Sequence, residues 1–167
     1  DLDGKRYIDF QNGWATNPVG NCHPEILAVV EEANRRYGFH YDHPLRYELA
    51  ERLATIMPAP LPRFSFEVSG TEAAEAAAHT ALCYKDRRYL ITFAGSYHGN
   101  SIATKVLSGL DGEHNRNLEA WSGGAIKAPY PFSDHIPADM DQEQYVDFCL
   151  WYVENHVPHA IAPTDNI

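Results

Sequence analysis

Apolar and polar positions alternate differently in the two halves of the chain. In the first, Ile26, Leu27, Val29, Val30, Ala33 and Tyr37 recur at helical spacing. His23-Pro24-Glu25 opens that stripe with proline at the first helical position and an acid in the first turn. Leu45, Leu49, Leu53 and Ile56 make a second stripe and predict a helix over 44–57. Pro58, Pro60 and Pro62 end it in a stiff connector. Upstream, the turn dipeptide Asp3-Gly4 followed by Tyr7, Ile8 and Phe10 predicts a hairpin over 1–10. Residues 13–22, rich in Gly, Asn and Pro, form a loop.

Beyond the connector the apolar runs shorten. Residues 63–68 read as a strand, 71–84 as an alanine-rich helix, and 89–93 and 125–128 as further strands. Residues 102–107 fit a strand or a helix, 109–124 an irregular excursion, and 142–155 a helix. Strand, helix, strand in that order predicts an α/β layer with a parallel sheet. The expected organisation is an N-terminal segment over 1–60, then the beginning of a larger α/β domain over 61–167. The tail, Pro163-Thr164-Asp165-Asn166-Ile167, is turn chemistry leading into an apolar residue, as before another strand.

Composition narrows the function. With 44% hydrophobic and 22% charged residues, the 167-residue chain is globular. A net charge of -10 repels nucleic acid and anionic membrane surfaces, but not a small phosphate held by local backbone dipoles. No run approaches the ~20 apolar residues of a membrane span, and no charged-then-apolar leader opens the chain. Cys22, Cys83 and Cys149 are odd in number and far apart, which suits reduced thiols in a cytoplasm. His40 and His43, and His156 and His159, are three apart. Prolines adjoin His43 and His159, and no Cys or carboxylate stands at closed-site spacing, so no metal site is expected.

Two motifs carry chemistry. In Val68-Ser69-Gly70-Thr71-Glu72-Ala73, Ser69 and Glu72 have the spacing of a capping box. A strand, a glycine turn and a helix start together make an anion site, with the Gly70, Thr71 and Glu72 amides and the Thr71 hydroxyl as donors. The alternative is a well-capped helix with nothing bound. A P-loop is absent, and a serine-hydrolase elbow fails because Glu67 and Thr71 replace its glycines. In the second motif, Phe93-Ala94-Gly95-Ser96-Tyr97-His98-Gly99, glycines bracket a loop after a strand, where ligands sit in open α/β sheets. Tyr97 can stack on a planar ring and His98 can donate or accept near neutral pH. The alternative is a turn whose Tyr97 packs on its own domain. Jointly the motifs fit a planar phosphorylated cofactor such as pyridoxal phosphate (PLP).

These runs, with Asp3-Gly4-Lys5-Arg6-Tyr7-Ile8-Asp9-Phe10 and Gly20-Asn21-Cys22-His23-Pro24-Glu25, resemble the class-III (subgroup II) aminotransferases of PLP fold type I. They stand in the family's order and cover the chain to about Gly109. The resemblance implies that Gly70 and Thr71 give amides to the cofactor phosphate, with Ser69 shaping the turn. Tyr97 would stack on the pyridine ring, His98 would lie beside it, and Trp14 would contact substrate, its alternative being ordinary packing. Val68 and Asn100-Ser101 depart from the family pattern and leave the subfamily open. The Schiff-base lysine and the acid at the pyridine nitrogen would lie beyond the position of Ile167. Lys5, Lys85, Lys105 and Lys127 read as solvated surface charges, so no catalytic residue is assigned. The implied activity is amino transfer between an amino compound and a 2-oxo acid by a cytoplasmic homodimer. Racemases, epimerases and an aminomutase share the scaffold, and a non-catalytic fragment or binding module is the alternative of another class.

Overall fold

The computed structural model describes residues 1–38, 42–110, 118 and 123–167. His40 and most of the 109–124 excursion therefore lie outside the described residues. The chain forms two compact units, Asp1–Phe64 and Ser65–Ile167.

In the first unit, α1 spans Pro24–Tyr37, with Pro24 at its start, Glu25 in the first turn and Arg35 and Arg36 in the last. Charge thus complements the helix dipole at both ends. Gly38 ends the helix at φ 56°, a conformation glycine adopts without Cβ strain. Helix α2 spans Pro44–Ala54. It stops three residues short of the expected end, and the Ile56 and Met57 amides both return to the Leu53 carbonyl in a closing turn. The expected hairpin is absent: residues 1–10 contain a turn closed by Gly4 N–H to Asp1 O, and no strand. Tyr7, Ile8 and Phe10 are exposed, and without a packed face two short strands are marginal. The 13–22 loop begins with a left-handed turn: Asn12, Gly13, Trp14 and Ala15 all have φ between 49° and 61°.

The strand expected over 63–68, a segment that crosses from the first unit into the second, is not formed: among the described residues the sheet joins Leu90–Phe93 and Ala125–Ala128 alone. In the second unit, helix α3 spans Gly70–Lys85, β1 Leu90–Phe93, α4 Ile102–Leu107 and β2 Ala125–Ala128. The two strands pair in parallel, from Leu90 opposite Ala125 to Phe93 opposite Ala128. A parallel pair needs a crossover, and α4 lies within it. Ser101 settles the ambiguity at 102–107 in favour of helix, because its hydroxyl accepts the Thr104 N–H while Thr104 reaches back to the Ser101 N–H.

Helix α5 spans Gln142–Trp151 and continues as π-helix over Tyr152–Ile161. The expected end at 155 is overrun. Pro158 cannot supply an α-helical hydrogen bond, and the wider coil takes it in, with Ala162 N–H closing on Val157 O five residues back. Val157, Ile126 and Ala162 form the core, with Tyr89, Ile91, Tyr152 and Ile167 packed around it. The final turn, Thr164–Asn166, presents Asn166 O to the Arg88 and Tyr89 amides just before β1.

Candidate functional site

Two loops of the second unit meet at the start of α3. Ser69 is extended, and its hydroxyl accepts the Glu72 N–H at 3.2 Å. The Glu72 carboxylate reaches back to the Val68 N–H at 3.1 Å. The reciprocal cap forms one residue earlier than in a standard capping box. As first-turn amides, Gly70 and Thr71 have no intrahelical acceptor, and none among the described residues takes them. A Cβ added at Gly70 would meet nothing within 4 Å. There is thus room beside Gly70 at the positive end of a 16-residue helix whose Gly70 and Thr71 amides have no acceptor among the described residues.

The loop after β1 closes on this point. Gly99 is buried at φ +138°, and a Cβ there would lie 2.9 Å from Thr71 Cα and 2.7 Å from Thr104 Oγ1. The next residue, Asn100, donates its N–H to Thr71 Oγ1 at 3.4 Å. Ser101 donates to the Glu75 carboxylate one turn further along α3. Two motifs separated by about 30 residues are thus locked together. Tyr97 remains 59% exposed, which leaves its ring free to face a ligand. The His98 backbone is fixed by its N–H to Ser108 Oγ, 2.9 Å. Gly95, at φ +78°, turns the chain beneath Phe132.

Ser69, Gly70, Thr71, Tyr97 and His98 therefore share one corner of the second unit. Trp14 belongs to the first, where the left-handed turn presents it 83% exposed. A phosphorylated planar cofactor fits the corner: unpaired amides for an anion, a backbone approach that any Cβ at 99 would block, and an accessible aromatic. Gly99, Asn100, Ser101 and Glu75 join the site although the sequence assigned none of them a role in it. The spacing of Ser101 and Thr104, with a hydroxyl three residues after a serine, was the available signal for that helix start.

Lys127 is exposed as a residue, as expected of a surface charge, but its ammonium is engaged by the protein. Its ammonium donates to the Val106, Leu107 and Ser108 carbonyls at 2.6, 2.5 and 2.8 Å and to Thr92 Oγ1 at 3.0 Å. Burial pulls its pKa down, a cost opposed by four oxygens that share the three N–H donors of the protonated amine.

The family model for aminotransferase class-III matches residues 1–163. The chain belongs to the class-III aminotransferase family. Among the family's curated members it is similar to a probable 4-aminobutyrate aminotransferase of Bacillus subtilis, 29% identical, covering 98% of this chain and 38% of that protein. It also resembles the isoleucine 2-epimerase of Lentilactobacillus buchneri, 31% identical, covering 80% of this chain and 31% of that protein. A solved structure of taurine:2-oxoglutarate aminotransferase from Bifidobacterium kashiwanohense, in complex with PLP and glutamate, matches with TM-score 0.79 at 21% identity. That match covers 99% of this chain and 38% of the other, and shows the fold. The class-III chain described here is an N-terminal part of PLP fold type I architecture. It spans roughly a third of the length of the relatives it matches.

Proposed function

We propose that the protein carrying this sequence is a PLP-dependent aminotransferase that moves an amino group between an amino compound and a 2-oxo acid. The observation that carries the reading is the contact of Gly99 and Asn100 with Thr71, because it brings an anion-binding helix start and an exposed aromatic to one place. The Gly70 and Thr71 amides bind the phosphate, aided by the α3 dipole, and the Ser69 cap holds the turn that aims them. Tyr97 covers one face of the pyridine ring, and His98 lies beside it, its backbone tied to Ser108. Bound PLP supplies the electron sink for amino-group chemistry. Trp14, on its left-handed turn, is assigned to substrate contact. The first unit supplies substrate-side elements and the second begins the cofactor domain.

The reading extends to a homodimer, and to a reducing cytoplasmic location supported by three unpaired cysteines. No described helix is long and apolar enough to cross a membrane. Replacing Tyr97 by Ala should weaken PLP binding roughly two- to tenfold, the equivalent of an offset stack worth about 0.5–1.5 kcal/mol. Equilibrium titration with PLP measures it, and an unchanged affinity would remove Tyr97 from the site.

The likeness to an isoleucine 2-epimerase favours a second reading, racemisation or epimerisation on the same scaffold. Incubating the protein with one enantiomer of an amino acid, with and without a 2-oxo acid, separates the two. Consumption that requires the 2-oxo acid supports amino transfer. Inversion without any acceptor supports the epimerase.

A further inference from the structure

Lys127 touches none of the residues assigned to the cofactor, yet it is among the most heavily coordinated side chains of the second unit. It stands on β2 directly opposite Thr92 of β1, whose hydroxyl it reaches. Its other three acceptors are the carbonyls that close α4, where a helix leaves its last oxygens unpaired and its dipole negative. One ammonium therefore joins β2, β1 and the end of α4. From that end the hydrogen bonds run into the Tyr97 loop. Ser108 Oγ donates to Thr104 O at 2.7 Å and accepts the His98 N–H at 2.9 Å. Gly109 O accepts the Gly95 N–H at 2.9 Å, and the Gly109 N–H donates to Ser96 O at 2.8 Å. Gly109 can approach this closely because it has no side chain: a Cβ there would lie 2.8 Å from Ala94 Cα.

We infer that Lys127 is a positioning residue for the cofactor loop: it holds Val106–Ser108 in place, and Ser108 and Gly109 fix residues 95–98 at the height where Tyr97 can cover a ring. The inference rests on the PLP reading for its functional consequence, but not for its structural one. An apolar side chain at 127 would leave three carbonyls without their shared donor and free the segment to which the loop is tied.

The test compares the protein with its Lys127→Met variant, first without cofactor. Amide hydrogen exchange at 95–98 and 106–109 should rise tenfold or more, while the interior of α3 keeps its protection. PLP should then bind at least fivefold more weakly, with altered circular dichroism of the bound cofactor, a signal that responds to the asymmetry of its surroundings. Unchanged exchange at 95–98 in a folded Lys127→Met protein overturns the inference, as does a loss of protection spread evenly over the unit. Should that variant not fold, Ser108→Ala removes the link while keeping the lysine, and wild-type exchange at His98 in it is equally fatal. Failure of the wild-type protein to bind PLP would strike the cofactor reading and leave the exchange result standing.

Discussion

An alanine at position 99 would place a methyl group 2.7 Å from Thr104 Oγ1 and 2.9 Å from Thr71 Cα, at a φ of +138° that side chains rarely adopt. Something must move, and the atoms in the way include the backbone of Thr71 in the first turn of α3. Gly99→Ala should therefore cost about 1–3 kcal/mol of stability and weaken PLP binding as well, read by denaturant unfolding and PLP titration. Ser69→Ala removes a cap without moving any other group. It should cost roughly 1 kcal/mol, visible as a lower unfolding midpoint with unchanged slope. Titration adds a third residue-level expectation. Burial pushes the Tyr145 phenol and the Cys149 thiol above their ordinary values of 10.0 and 9.0. The folded state keeps both protons to higher pH than the unfolded chain does. Above about pH 9 the unfolded state binds fewer protons, so stability falls as pH rises; below it the contribution is constant. Unfolding midpoints measured on either side of that pH should show the decline, and Tyr145→Phe should flatten its upper part.

At the scale of elements, helix starts were the most legible feature, because their signals are local. Pro24 with Glu25, and Ser69 with Glu72, announce α1 and α3 to within a residue. Strands were legible only where a partner exists. Residues 63–68 and 1–10 have strand-like composition, but pairing is a property of two segments, and among the described residues neither enters the sheet, which joins β1 to β2. The continuation of α5 past residue 155 was hidden by Pro158, which reads as a stop unless the coil widens. The bonds of the exposed Lys127 were hidden for the same non-local reason: its acceptors come from residue 92 and residues 106–108. Within the π segment, Val157 is fully buried against Ile126 and Ala162. Val157→Ala should cost roughly 2 kcal/mol by lost apolar burial and the cavity left behind. A cost near zero in chemical denaturation would mean the segment does not seal the core.

Taken as a whole molecule, the chain shows more apolar surface than a self-contained pair of units would. Ile26, Leu27, Val29 and Val30 of α1 are 44–64% exposed, and Phe148, Leu150 and Trp151 of α5 are also uncovered. Faces of that kind are covered by other protein, and in a chain spanning about a third of its relatives' length the cover can be further chain as well as the partner of the proposed homodimer. Light scattering during size exclusion should give twice the protomer mass, and a monomer at assay concentration would contradict it. The corner where the two motifs meet carries the functional account, and a PLP titration of the protein tests it most directly, with inorganic phosphate as competitor. The account predicts saturable binding that phosphate weakens and that Tyr97→Ala loosens roughly two- to tenfold. Binding indifferent to both phosphate and Tyr97, or no binding at all, would contradict it.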